Sequence, residues 1–380
     1  MSKITFKVEE LKKRLAQLGA VVSKKAATPV FGFIRLYAVP SGDGFAVGMT
    51  GADIDAKLNL WTGGVADGPV DVLLPFSKVT DIVSNFEHAE VTITTTDSSK
   101  ARITSGKFKA ELQPYSIEKW ADVGDLEQPE TPVAELGLPG LKDQIAHVDY
   151  VVPAASGKFV VSVALLLSDG KRVQAIGTDG FALAISTVEQ EKPAFRLMLP
   201  KTALDLISKL EGGTVLRIYE AEAGFVFATD TETLTVNRTN GEFPPYERII
   251  PSTHTTQFVI NAQAVIGSVR RTKPLADPEK PVLAFKMESA TELSVSAAHV
   301  EAGAEGSAFR NIASDEVDIK SADGPSIEFL LDAKYLLDFL EKVSGDVTVN
   351  VKSSGEIVDF QAGNGAHRYL IMPSAPATRE

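Results

Sequence analysis

The chain has 380 residues and no cysteine, which excludes disulfide staples, thiolate nucleophiles and sulfur-ligated metal centres. It has no apolar run near the roughly 20 residues that a membrane-spanning helix needs. Its opening, MSKITFKVEELKK, lacks the apolar middle of a signal peptide, so a soluble, cytoplasmic protein without membrane contact is expected. No Gly-x-x-x-x-Gly-Lys-Ser/Thr loop occurs; Ser156-Gly157-Lys158 lacks both the upstream glycine and the following hydroxyl, so ATP hydrolysis is not expected. His-Glu-x-x-His and Gly-x-Ser-x-Gly are absent too. The five histidines, His88, His147, His254, His299 and His367, are scattered one to a segment. That spacing fits surface or satisfied side chains better than a metal centre. No cofactor, metal or catalytic residue is therefore expected, although the 50 acidic residues leave open a carboxylate-pair hydrolase that spacing cannot reveal.

What the chain does have is repetition. VLLPFSKVTDIVSNFEHAEVTIT from Val72, LMLPKTALDLISKLEGGTVLRI from Leu197 and FLLDAKYLLDFLEKVSGDVTVNV from Phe329 share one pattern, an apolar strand running into a helix and then into an alternating strand. Their aligned leucines, Leu74, Leu199 and Leu331, stand 125 and 132 residues apart, about one small domain each. The apolar stripe is kept at helical spacing through Val79, Leu204 and Leu336 and then Ile82, Ile207 and Phe339. A second helix precedes each copy, marked by Leu11, Leu15, Leu18 and Val22, by Leu138, Leu141, Ile145, Val148 and Val152, and more weakly by Ala262, Val265 and Val269. Strand pairs with Gly and Asp at the bends lie between the helices. The expected fold class is α+β, with three modules at 1–128, 129–252 and 253–380, each carrying two helices packed on antiparallel sheets. Repetition on this scale extends or curves a surface, which turns the functional reading away from a single catalytic cleft.

The net charge of −12 argues against a nucleic-acid partner until its distribution is considered. From Lys7 to Lys25 six cations, Lys12 and Lys13 among them, face only Glu9 and Glu10, and the corresponding helix of the third module ends in Arg270, Arg271 and Lys273. If equivalent helices share one face, that face is basic in an otherwise acidic molecule, which suits local phosphate contact with repulsion elsewhere. Solvated helix lysines are the plainer explanation.

The repeats, the Thr178-Asp179-Gly180 of IGTDGFALAIS, the phrase NGEFPPYERIIP and the terminal YLIMP together resemble the bacterial sliding clamp, the beta subunit of DNA polymerase III, over nearly the whole chain. The resemblance implies a head-to-tail homodimeric ring around double-stranded DNA, with helices lining the hole and sheets outside. The partners it implies are the replicative polymerase, an ATP-dependent clamp loader and other proteins with a clamp-binding motif. It adds Lys25, Lys158 and Phe159 to Lys12, Lys13, Arg270 and Arg271, which the charge distribution marks, as DNA-facing positions. It marks a peptide pocket at Val161, Thr178, Gly180, Phe181, Leu183, Pro244, Arg248, Ile249, Asp332, Tyr335, Ile371, Met372 and Pro373. The edge with Arg102, Lys107, Phe108 and Lys109 is expected to meet an edge near Glu301 and Glu305 of the neighbouring chain.

Departures from the family pattern lie mainly in the pocket: Phe181-Ala182 replaces a basic or polar pair, Asp332 replaces a common asparagine, and SAPATRE runs past the usual end. They fit a clamp with its own peptide preference, such as a phage-borne or second-copy clamp. A repeat scaffold or shell protein that is never loaded on DNA is the alternative reading.

Overall fold

The computed structural model describes residues 2–22, 28–97, 100–124, 126–155, 162–239, 241–302 and 308–374. Six α-helices occur among them: α1 (Val8–Leu18), α2 (Phe76–Ser84), α3 (Leu138–Ala146), α4 (Lys201–Ile207), α5 (Ala262–Thr272) and α6 (Ala333–Leu340). Each follows a strand with no intervening loop, the strands being Ser2–Lys7, Val70–Pro75, Ala134–Gly137, Phe195–Pro200, Thr256–Asn261 and Glu328–Asp332. The helices that sequence marks weakly therefore begin in the same way as the strongly marked set, and each repeat carries the strand-to-helix start twice.

The junction chemistry explains how the chain turns so abruptly. Pro75 holds φ at −66°, which its ring imposes, and with ψ at 112° the strand stays extended to its last residue. At the other end of the chain side chains do the work. Asn261 Oδ1 accepts the N–H groups of Gln263 and Ala264 at 3.1 and 3.2 Å, and Asp332 Oδ1 accepts that of Lys334 at 2.8 Å. Such caps contribute about 1 kcal/mol each. No helix among the described residues is long and apolar enough to cross a membrane.

Contacts divide the chain into two compact units, residues 1–142 with 202–239, and residues 143–201 with 240–380. The first unit contains a five-stranded and an eight-stranded antiparallel sheet. In the larger sheet Glu232–Val236, from the second repeat, pairs with Ala56–Leu60 of the first. Helix α1 packs on α2 and buries Leu11, Leu15 and Leu18, with Val79 and Val83 buried on α2. Each full burial of this kind stabilises by roughly 1.5–3 kcal/mol. Glu232 is sealed beneath: it accepts from Arg14 and Gln17 at 2.9 Å each and from the Glu211 N–H at 2.7 Å.

The second unit is organised by a twelve-stranded sheet. Ala182–Ser186 of the second repeat pairs with His367–Ile371 of the third, so here again a sheet runs through a repeat boundary. Val163, Leu165, Ile176, Leu183, Ile185, Phe243, Tyr246 and Leu370 form its core cluster. Tyr369 is buried against Phe339 and Tyr150, with ring centroids 5.0 and 5.7 Å away. Burial pushes the phenols of Tyr150 and Tyr369 well up from their ordinary value.

Candidate functional site

In the second unit Arg172–Thr178 and Ala182–Glu189 form a hairpin whose tip is built by Thr178-Asp179-Gly180-Phe181. Asp179 Oδ1 accepts the N–H groups of Phe181 and Ala182 at 2.9 Å, and Gly180 takes φ +91°, a conformation that glycine adopts without strain. The tip therefore holds Phe181 outward, 63% exposed. The Met372 N–H donates to the Phe181 carbonyl at 2.9 Å, so the hairpin tip and the chain after the last strand are clamped together. Tyr335 of α6 donates its hydroxyl to Asp179 Oδ2 at 2.7 Å; burial first, then this carboxylate, pushes its phenol well above the usual value.

Arg248, Ile249, Met372 and Pro373 line one cleft of about 510 Å³. Ile249 and Met372 are exposed apolar groups there, as Phe181 is at the hairpin tip. Thr178, Leu183 and Ile371 are buried beneath and position the surface. Pro244 and Gly180 are exposed, and Asp332 and Tyr335 half-buried; none of the four lines the cleft. Asp332 spends its carboxylate capping α6, a role asparagine serves equally well. Val161 lies outside the described residues. Ile250, Ile357, Lys352 and Glu356 also line the cleft and were missed by sequence reasoning. Ile357 arrives there because Val358 pairs with Ile371, a register that only tertiary structure reveals.

The expected DNA-facing cations are less free than composition implies. Lys12 is held by Glu9 at 3.3 Å and by the Phe86 carbonyl at 3.0 Å. Lys13 pairs with Glu211 at 2.5 Å, Arg270 with Glu341 at 2.7 Å and Arg271 with Asp315 at 2.5 Å. The Arg271 guanidinium holds the Asp315 carboxyl below its ordinary value. Lys13, Arg270 and Arg271 keep 59%, 63% and 64% of their side-chain surface exposed, and surface pairs of this kind are weak enough for another anion to compete. Lys25, Lys158 and Phe159 lie outside the described residues.

In the first unit Phe108–Leu112 is the terminal strand of the five-stranded sheet. Phe108 is partly exposed, stands edge-on to Phe86 with centroids 5.3 Å apart, and lines a cleft of about 480 Å³ with Ile82, His88 and Lys107. Lys109 is exposed, and Arg102 reaches across to Glu111 at 2.7 Å. In the second unit Glu301 belongs to Glu292–Ala302, which pairs with Ala308–Asp323 to form a long ribbon, Glu301 opposite Phe309. This strand is not terminal in its sheet, but its pairing with Val282–Ser289 ends at Ser296. Glu301 thus stands where the ribbon has no described partner on that side. Glu305 lies outside the described residues.

One group among the described residues has metal-ligand spacing, Asp143, His147 and His367. The two imidazoles are stacked face to face, 3.6 Å apart and 7° from parallel, so their in-plane lone pairs do not converge. Both nitrogens of His147 meet carbonyl oxygens, of Asp143 at 2.8 Å and Lys342 at 3.1 Å. These contacts suit packing better than metal binding.

No protein-family model matches the chain. Curated relatives do: the beta sliding clamp of Pseudomonas putida is 22% identical over 382 residues, covering 97% of this chain and 98% of the relative. That of Staphylococcus epidermidis is 20% identical, with 95% of each chain covered. Among solved structures, the DNA polymerase sliding clamp of Bacillus subtilis superposes with a TM-score of 0.86 at 18% identity over 99% of both chains. The DNA polymerase III subunit beta of Pseudomonas aeruginosa gives 0.85 at 20% identity, over 98% of this chain and all of that one. The fold of this chain is the one those proteins share, α+β with antiparallel sheets.

Proposed function

We propose that this chain, a divergent member of the bacterial sliding-clamp family, works as a DNA sliding clamp: a homodimeric ring that encircles duplex DNA and tethers the replicative polymerase. The observation that carries the reading is likeness to clamps over nearly the full length of both partners. A local match would leave room for a borrowed module. The three modules, 1–128, 129–252 and 253–380, supply the arcs of the ring, and the chain acts as a processivity factor with no chemistry of its own.

The remaining parts follow from what such a ring must do. Its lining must hold DNA weakly and without reading bases, because base-edge contacts would stop it sliding. Exposed cations already paired with carboxylates, such as Arg270 and Arg271, suit that demand, since each phosphate gained displaces a weak partner. Closure joins the Phe108 strand to the outer part of the Glu301 ribbon on the neighbouring chain, Lys107 and Lys109 facing its acidic residues; the interface is heterologous and closes after two copies. The cleft at Ile249 and Met372 receives the peptide motifs of the polymerase, of an ATP-dependent loader and of other clamp-binding proteins, which compete for it.

Loading the protein on a nicked circular plasmid with a clamp loader tests the central claim. The circle should retain it through gel filtration and release it on linearisation. Equal retention on circular and linear DNA would end the reading. Phe108→Ala with Lys107→Glu should give monomers at low micromolar concentration by sedimentation; a persistent dimer removes this edge from the interface.

A further inference from the structure

The cleft at Met372 does not end where its apolar lining ends. Pro251, Ser252, Thr253, Lys352 and Ile357 also wall a second, polar trough of about 210 Å³. Its floor is made by side chains on one face of four adjacent strands. Gln257 donates to Asn350 at 2.8 Å, and Asn350 and Gln361 donate to Asp359 at 3.4 and 2.9 Å. Arg368 closes on the same carboxylate with two bonds of 2.9 Å. Gln257 and Asn350 are cross-strand partners, as are Asn350 and Asp359, and Gln361 and Arg368. The arrangement is thus fixed by sheet register and not by loops.

The charge balance of this floor favours one kind of occupant. Asp359 is sealed, its side chain 4% exposed, and every bond described to it comes from Arg368 or an amide. Of the cations around the two clefts, Lys352 keeps 48% of its side-chain surface and Arg248 is exposed. The acidic competitor in reach is Glu356, paired with Lys352 at 3.1 Å. The two linings together carry Arg248, Lys352 and Arg368 against Glu356 and Asp359, a small local excess of positive charge in a chain of net charge −12.

We infer that the trough reads the flank of a bound peptide and selects an acidic side chain next to the apolar anchors seated in the cleft. This rests on the cleft being a peptide site, as proposed above, and adds a specificity element outside it. Lys352 is the selecting charge; an incoming carboxylate exchanges with Glu356, and Asn350, Gln361 and Arg368 keep the floor rigid. A partly exposed pair of this kind is worth up to about 1 kcal/mol, hence about a threefold to fivefold preference.

The test is fluorescence anisotropy with labelled, C-terminally amidated peptides that share a Leu-Phe anchor and carry Glu-Glu, Gly-Gly or Lys-Lys on either flank. Amidation removes the chain-terminal carboxylate as a rival source of charge. With the wild-type protein one flank should rank Glu above Gly above Lys. Lys352→Glu should reverse that order and Glu356→Gln should widen it. Equal affinities for the three peptides at both flanks overturn the trough while leaving the peptide cleft standing. Failure of every peptide to bind overturns the cleft reading and this inference with it.

Discussion

Glu232 in the first unit and Asp359 in the second are both carboxylates taken almost wholly out of water, yet they fasten different things. Glu232 gathers Arg14 and Gln17 from the first repeat and the Glu211 N–H from the second, residues more than 200 positions apart in part. Asp359 gathers Asn350, Gln361 and Arg368, all within ten positions of it. One is a bolt between repeats and the other a brace within a single sheet. The surroundings differ as well: the Arg14 Nε is buried with no partner among the described residues, whereas Arg368 lines a trough of about 210 Å³. A buried charge that loses its partner is costly where water cannot reach it, and much less so where water can.

The largest effect is accordingly expected at Glu232. Glu232→Ala strands Arg14 in the first unit and should cost about 3–5 kcal/mol in urea unfolding. Amide exchange in Val8–Leu18 should accelerate as well. A loss under 1 kcal/mol would mean that the apolar face of α1 holds the joint alone.

Asp359→Asn should cost less, about 1–2 kcal/mol, since the amide keeps the shape and Arg368 can draw on water in the trough. Equal losses for the two variants would break the contrast between bolt and brace.

A third effect depends on pH. Burial first, then the neighbouring His147, lowers the His367 pKa from 6.5, so the unfolded chain takes up this proton more readily than the folded one. Stability therefore rises with pH between the depressed folded value and 6.5, and is lost as the solution is acidified through 6.5. His367→Gln should flatten that dependence in a pH series of urea midpoints; an unchanged slope would assign it to another group.

The smallest effect on folding belongs to the exposed pairs. Lys13→Gln and Arg270→Gln should leave the urea midpoint nearly unchanged, yet each should lower the slope of log affinity against log salt for DNA by roughly 0.9. If the midpoint moves and the slope does not, these pairs are braces like Asp359 and not part of a DNA surface.

The contrast also marks what the sequence could disclose. Periodicity marks α1 through Leu11, Leu15 and Leu18, and the structure places that helix at Val8–Leu18. Asp332 carries a legible signal: an Asp just before Ala-Lys-Tyr-Leu-Leu is a helix cap, and its carboxylate is committed to that. The pairing of Arg14 with Glu232 left no local trace, because nothing near either residue points to the other. The same holds for Ile357 and Lys352, which reach the cleft only through the registers of Val358 with Ile371 and of Asn350 with Asp359. Pairing also hid in the cations: counting Lys12, Lys13, Arg270 and Arg271 gives the charge of a face but not the acids that other segments bring to it.

The strands that cross the repeat boundaries carry a consequence for how such a chain can be cut. A break near Gln128 would leave Ala56–Leu60 on one piece and Glu232–Val236 on the other. A break near Thr253 would part Ala182–Ser186 from His367–Ile371. Each fragment would then carry a raw strand edge whose natural complement sits on its sibling. Two polypeptides divided at either place should seek one another through those edges, which makes the two positions suitable for two-fragment complementation.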